Sequence, residues 1–336
     1  MSLWLTAWFL KSFSLPVVTD GQKEQETMLT TNAVKSELAT SSHQESVSPE
    51  VPSFAFDPND PWTETFQRGL KRADLQGKKA YEVGIGTGIN AVYLLTVCGA
   101  QGVSGSDLDP RLIELAESNV RSLAPDFAHC FDPVKGAVSL IDTDEAHQQV
   151  AASDVVIASL PQVGEPGDAR VAAIREALHV PLAEGADDVA DDHIAHYYPW
   201  TEFDQYPFNA VGLGLNEALL MRVRKHAPKA EVVMNFGCRI GSDIIFDCFR
   251  ANGFQPKKLS SQIVEQHSGT DISFFISLEK ALQGTGLDND FKCHFYADKE
   301  AQKPLSACEA QSLIEQDPDA SLFHEVCVIR GTPVVD

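Results

Sequence analysis

The sequence predicts an α/β fold built on one doubly wound, mostly parallel sheet. Three observations predict it. Short apolar runs recur between turn residues, segments of helical periodicity lie between those runs, and the first run closes on a glycine-rich turn, Glu82-Val-Gly84-Ile-Gly86-Thr-Gly88. Strands alternating with helices at this spacing make βαβ units, and so a sheet covered on both faces. With 336 residues, 43% of them apolar, the chain is long enough for one large domain with appendages rather than two equal domains.

The elements follow in order. "MSLWLTAWFLKSF" is apolar but falls short of the about 20 residues that a bilayer span takes. It also lacks the basic start and small-residue cleavage site of a signal peptide. Residues 19–53 are polar and rich in Ser, Thr, Glu and Gln, so a disordered segment is expected over 1–50, and Met28 offers an alternative start. The sheet domain is expected over 51–280. "KKAYEVGIGTG" is a strand running into glycines, and "INAVYLLTVCGA" is a helix ending at Gly99. "GVSGSDL" is a second strand, and Pro110 opens a helix at its favoured first position, "PRLIELAESNVRSL". "DVVIASLP" is a strand, "NAVGLGLNEALLMRVRKHA" a helix, "AEVVMNFG" a strand, and "SDIIFDCFRANGF" a helix stopped by Gly253. "DISFFISLEK" reads as the last strand of the domain.

Two stretches fall outside this skeleton. Residues 162–208 form an irregular insertion, acidic and then aromatic ("HYYPWTEFDQYPF"), as lids and binding loops are. Residues 281–336 form a small C-terminal β appendage, whose "FKCHFYAD" and "SLFHEVCVIR" could pair with each other or extend the sheet.

Charge and cysteine narrow the function. Lys and Arg number 26 against 48 acids, a net charge of −22 with no basic cluster, which speaks against nucleic-acid or anionic-membrane partners. The seven cysteines are scattered with no CxxC pair, as in a reduced, cytoplasmic protein without a disulfide framework. Neither they nor the ten histidines show metal-ligand spacing, so no metal is expected.

The spacing of the glycines points to a ligand. Dinucleotide binders carry GxGxxG at such a strand-to-helix turn, whereas here the third glycine comes one residue early, giving ExGxGxG. That form belongs to class I methyltransferases, whose S-adenosyl-L-methionine has no pyrophosphate to seat. Asp107, at the end of the second strand and 23 residues past Gly84, is placed to accept hydrogen bonds from a ribose diol. Asp109 reads instead as the cap of the helix that starts at Pro110. Candidate cofactor residues are therefore Glu82, Gly84, Gly86, Gly88, Asn90, Asp107, Leu108 and Ser159. The fourth strand ends in Ser159-Leu160-Pro161-Gln162, where amide- and base-N methyltransferases carry (N/D)PPY. Without that aromatic and that leading Asn or Asp, the tip suits a small, non-planar nucleophile rather than a planar one.

"SLPQ", "NAVGLGLNEALLMRV", "EVVMNFGCRIG" and "GTDISFFISLEK" together resemble the methyltransferase module of the methionine S-methyltransferase family, and the likeness runs over roughly residues 55–330. The chain lacks the long aminotransferase-like region of the plant members and looks more like the short stand-alone bacterial enzymes that feed dimethylsulfoniopropionate synthesis. It departs from the family turn FNMGGRPG at Cys238 and Ile240. The resemblance implies a Rossmann-like class I methyltransferase sheet, S-adenosyl-L-methionine as cofactor, L-methionine as substrate and S-methylmethionine as product.

Thioether methylation needs no general base, because the sulfur carries no proton, and no Ser/His/Asp or Cys/His set stands out in the sequence. The task is orientation, which can be worth about 7–11 kcal/mol. Aromatic faces attract sulfonium cations by about 0.5–2 kcal/mol. Tyr197, Tyr198 and Tyr206 are candidates because a hydroxyl also lets them orient the amino acid. Arg239 matches the arginine of the family turn and is the candidate for the substrate carboxylate, while Glu202 and Asp204 are candidates for its ammonium. Pro161, Gln162 and Asn235, at strand tips, and Asp271, opening the last strand, complete the substrate set. Three alternatives stay open: an N- or O-methyltransferase of another small metabolite, a protein or glutamine methyltransferase, and a non-catalytic cofactor-binding subunit. Homo-oligomerisation through the C-terminal appendage is plausible.

Overall fold

The computed structural model describes residues 60–162, 206–266, 272–282 and 292–334. Its elements, in chain order, are α1 (Pro61–Arg72), β1 (Lys79–Val83), α2 (Ile89–Thr96), β2 (Gly102–Ser106), α3 (Pro110–Leu123), β3 (Phe131–Pro133), α4 (Asp144–Ala151), β4 (Val155–Ala158), α5 (Gly214–His226), β5 (Glu231–Gly237), α6 (Ser242–Ala251), β6 (Phe254–Glu265), α7 (Ser273–Leu282), α8 (Ala307–Gln316) and β7 (Phe323–Pro333).

Seven strands form one sheet in the order β3-β2-β1-β4-β5-β7-β6. The pairs from β3 to β5 are all parallel, whereas β7 runs antiparallel to both β5 and β6. This is the expected class I methyltransferase sheet, and its strand order reverses between β1 and β4, where open α/β sheets bind ligands.

Strand alternation divides the core in two. Tyr81, Val83, Val156 and Ala158 pack with α4, α5 and α6, while Ala80, Val103, Val155, Ile157 and Val233 pack with α1 and α2 on the other face. A smaller cluster joins α7 and α8 through Ile272, Ile276, Phe295, Ala310 and Leu322. Helix starts follow the local chemistry: Asp109 caps α3 with Pro110 at its first position, and Asp60 caps α1 ahead of Pro61.

One expectation is corrected. "DISFFISLEK" is not a strand, since residues 273–282 are the helix α7. A short apolar run cannot be told from a buried helix by periodicity, and Ile272, Phe275, Ile276 and Glu279 recur at helical spacing with their apolar members in the small cluster. Of the two courses open to the C-terminal appendage, "SLFHEVCVIR" extends the sheet, supplying β7 as an internal strand. "FKCHFYAD" contributes only isolated bridges, Phe295 to Leu305 and Tyr296 to Phe323. The strand β6 that β7 pairs with is polar, with lysines and a proline, as an edge strand is. The expected disordered segment and nearly all of the 162–208 insertion lie outside the described residues. Among the described residues no helix is long and apolar enough to cross a membrane.

Candidate active site

The carboxyl ends of β1, β2, β4 and β5 lie side by side. At the first of them, the N–H groups of Gly84 and Ile85 both donate to the Ser106 carbonyl, at 2.9 and 3.1 Å. That bond pair turns the chain out of β1 into the glycine loop. Gly86 sits at φ +53 with nothing within 4 Å of where a Cβ would stand, so the space over the loop is open to a ligand. Asp107, only 1% exposed, ties the loop down: its Oδ2 accepts from the Gly86 N–H at 2.9 Å and its Oδ1 from the Asp109 N–H at 3.0 Å.

Glu82, at the heart of this arrangement, is buried. Its Oε1 accepts from the Asn90 amide at 2.9 Å, while its Oε2 has no partner. Burial pushes its carboxyl up to about 8, with the nearby Asp107 adding to the rise and the Asn90 bond opposing it. An unpartnered buried carboxylate oxygen loses about 1–3 kcal/mol or more. Such an atom calls for a donor, preferably a cationic one.

Next to it a narrow slot is lined by Val83, Gly84, Leu108, Val138, Ser139, Leu140, Leu160 and Leu215. Its outer wall is a segment that leaves the sheet after β3 and stays pinned to β2, with the Val138 N–H donating to the Asp107 carbonyl at 2.8 Å. Leu140 holds a left-handed backbone, φ 55, unusual for a branched side chain. The Ser106 hydroxyl donates to its carbonyl at 2.9 Å and fixes it there. Leucine and valine walls beside a donor-rich loop and a buried carboxyl with one open oxygen suit a nucleoside carrying a charged tail.

The tips of β4 and β5 make the second half of the site. The Gly237 N–H donates to Gln162 Oε1 at 2.8 Å, and the Asn216 amide reaches the Pro161 carbonyl at 3.4 Å. Asn235, 3% exposed, has its amide 3.5 Å from the Ser159 hydroxyl and leaves its Oδ1 without a partner. A side chain at Gly237 has no room, since a Cβ there would stand 2.7 Å from an Arg239 nitrogen, 2.9 Å from Trp62 and 3.3 Å from Gln162 Oε1. Arg239, Trp62 and Gln162 therefore converge on one backbone position.

Arg239 follows in a short 3₁₀ turn, Cys238–Ile240. Its Nε donates to Gln266 Oε1 at 2.7 Å, and its guanidinium lies over the rings of Trp62 and Phe275, 5.8 and 5.9 Å from their centroids. Burial pushes the guanidinium down to about 10, still cationic at neutral pH. No carboxylate among the described residues pairs with it. His324 of β7 also packs against Trp62, with ring centroids 5.6 Å apart. It is 1% exposed and neither ring nitrogen has a partner. Burial and then the charge of Arg239 push its imidazole down to about 2, so it is neutral and a poor base.

The expected cofactor residues thus come together: Glu82, Gly84, Gly86, Gly88, Asn90, Asp107 and Leu108 share the loop and slot, and Ser159 stands at the adjoining tip. Among the expected substrate residues, Pro161, Gln162, Asn235 and Arg239 gather at the β4 and β5 tips. Tyr206 does not join them. It is 9% exposed within the main core, and its hydroxyl accepts from Arg222 of α5 at 3.2 Å, so it anchors that helix instead of facing a ligand. Tyr197, Tyr198, Glu202, Asp204 and Asp271 lie outside the described residues. Sequence reasoning missed Trp62, Asn216, Gln266, His324 and the slot wall at Leu140; Asn216 sits inside the quoted "NAVGLGLNEALLMRV" stretch without being singled out, and the others belong to no quoted site motif. Among the described residues no group of three metal-ligating side chains assembles.

Comparison with known proteins follows the same lines. Over 274 residues the chain is 24% identical to a methionine S-methyltransferase of Zea mays and 25% identical to one of Hordeum vulgare. The chain is similar to methionine S-methyltransferases. Each match takes in 77% of this chain and 23% of the relative, so the chain spans about a quarter of the length of the curated relatives it matches. No family model matches the sequence. Among solved structures, a geranyl diphosphate methyltransferase in complex with SAM is 11% identical, with 81% of this chain and 86% of that one covered and a TM-score of 0.37. A precorrin-6y C5,15-methyltransferase of Geobacter metallireducens gives 8% identity, 79% and 87% coverage and a TM-score of 0.35. The assignment of the fold rests on the strand order and not on these two likenesses.

Proposed function

We propose that this chain transfers the methyl group of S-adenosyl-L-methionine to the thioether sulfur of L-methionine, giving S-methyl-L-methionine and S-adenosylhomocysteine. The observation that carries the reading is the convergence of Gln162, Gly237, Arg239 and Trp62 at the β4 and β5 tips, two residues along from the slot wall at Leu160.

The cofactor fits the first half of the site. Glu82 Oε2 would take its ammonium, Gly86 leaves room for its close approach, and Asp107 stands within the loop for the ribose, beside the leucine-lined slot. When bound, it supplies an activated methyl on a sulfonium sulfur. The chain's residues then have one task, to hold a thioether in line with that methyl. The thioether sulfur would displace the cofactor's sulfur from that methyl, and since it carries no proton, no residue would have to take one. The imidazole that faces Trp62, His324, is far too weak a base to deprotonate an amine or hydroxyl, which suits such a displacement. Arg239 offers unpaired guanidinium donors for a carboxylate, and the Trp62 face suits a sulfonium product. Gln162 and Asn216 would fix the tip against which the sulfur is held. The resemblance to the stand-alone bacterial enzymes supports dimethylsulfoniopropionate synthesis as the pathway that would consume the product.

The test is an assay of purified protein with methyl-labelled S-adenosyl-L-methionine and L-methionine, read by mass spectrometry. Labelled S-methylmethionine is expected. Cofactor binding without that product would remove methionine and leave a methyltransferase of another small metabolite.

A further inference from the structure

We propose that His324 is the substrate's ammonium acceptor, completing with Arg239 a site for the free amino-acid zwitterion. The inference rests on the reading of the site as one for a small amino acid and names two groups that would divide its charges.

Three observations carry it. Both nitrogens of an imidazole only 1% exposed are without a partner, and buried polar atoms left so in a native fold ask for a ligand. The ring lies on the face of β7 that looks toward α1: Val328, four residues on, packs at Gly69, and His324 itself packs at Trp62, the ring over which Arg239 lies. The imidazole and the guanidinium therefore lie against the same tryptophan, and among the described residues that guanidinium has no carboxylate partner. Its neutrality follows from burial and that cation, and a neutral ring always keeps one bare nitrogen.

A zwitterion needs a donor set and an acceptor set, close together but not paired with each other. Arg239 supplies donors. Among the described residues two other acceptors at this tip are committed, Gln266 Oε1 to Arg239 itself and Gln162 Oε1 to the Gly237 amide. Glu325, next along β7, pairs with Lys258 of β6 at 2.7 Å. Asn235 Oδ1 is also open, but its amide is turned to Ser159 on the methyl-transfer side. A neutral acceptor beside a cation has a further merit over a carboxylate, which would neutralise Arg239 and compete for the substrate's own carboxylate.

The experiment measures the affinity of the protein, loaded with S-adenosylhomocysteine, for L-methionine and for its deamino analogue 4-(methylthio)butanoate by calorimetry. His324→Phe keeps the ring and removes both nitrogens, whereas His324→Gln keeps a donor and an acceptor. His324→Phe is expected to weaken methionine at least tenfold and to leave the deamino analogue and the cofactor within twofold, with His324→Gln recovering most of the loss. Should either variant fail to fold, the unsubstituted protein still decides: the His324 ring ¹⁵N resonances should move with methionine and stay with the deamino analogue. Equal losses for both ligands, no loss, or no binding of methionine by the unsubstituted protein would each overturn the proposal. Methionine that binds through His324 but is not methylated would discard the thioether reaction and leave the ammonium assignment standing.

Discussion

The Gly237 N–H donates to Gln162 Oε1 across 2.8 Å, joining the tips of β4 and β5 beyond the last pair of their ladder, Ala158 with Met234. A proline at Pro161 ends the ladder, and the glutamine after it replaces the lost backbone bond with a side-chain one. One such bond is worth about 0.5–1.5 kcal/mol net. Gln162→Ala is therefore expected to lower kcat about tenfold through misplacement of the tip, while the affinity for S-adenosyl-L-methionine stays within twofold. Steady-state kinetics alongside calorimetry would check it, and a change in cofactor affinity alone would refute it.

Glu82 sets a pH dependence whose sign can be worked out. Its carboxyl titrates at about 8 in the folded, ligand-free protein, against an ordinary value of 4.5. The folded state therefore holds a proton that the unfolded chain has released, and stability falls as pH rises between those values. A cationic ligand at Oε2 favours the ionised form and must displace that proton. Affinity for S-adenosyl-L-methionine should rise from pH 5 to about 8 and then level off, with proton release on binding. Glu82→Gln should flatten both the affinity and the stability profile. Titrations in buffers of different ionisation enthalpy would expose a profile that stays flat in the native protein.

Arg239 has donors to spare and no carboxylate among the described residues. Arg239→Ala is expected to raise the KM for methionine by about 10- to 100-fold, in line with the loss of a charge-assisted pair of about 1.5–3 kcal/mol. Cofactor affinity should be unchanged. Arg239→Lys should recover only part, since an ammonium cannot fork onto a carboxylate. An unaltered KM would end the carboxylate assignment.

At the opposite end of the sheet, Glu231 of β5 takes Lys78 at 3.0 Å and also Arg330 of β7. Burial works to raise its carboxyl, but the bonds from Arg330 and Lys78 outweigh it and hold the carboxyl below its ordinary value. A depressed carboxylate contributes stability above the unfolded pKa and loses it as pH falls. The group is partly solvated, so the contribution is about 1 kcal/mol or less. Glu231→Gln should lower Tm by about 2 °C at pH 7 and by nothing near pH 3. Melts across that range would show the two curves converging.

How much of this was legible in the sequence depended on whether the signal was local. The glycine turn, the Asp109 cap with Pro110 and the SLPQ tip are backbone devices, and each works within a few residues of its own sequence. Asp107 was legible as well, with the addition that its carboxylate also ties down the loop it serves. Trp62 and His324 were not, because nothing near either residue marks it; they meet only when α1 lies across a strand that comes some 260 residues later. Tyr206 was misplaced for the same reason. An aromatic run looks the same whether a ring in it faces a ligand or, as Tyr206 does, a helix.

The insertion of β7 between β5 and β6 also constrains how the chain can assemble. During synthesis both neighbours emerge before the strand that must separate them, so until Phe323–Pro333 arrives the growing sheet presents two unsatisfied edges with a gap one strand wide. Pairing β5 directly with β6 would close that gap in a wrong register and lock His324 out of its place beside Trp62. The ladder to both neighbours spans long stretches of sequence, which makes closure slow. The completed catalytic face is therefore a late event. A nascent chain stalled before residue 323 would hold the whole glycine loop and still lack the imidazole beside Trp62.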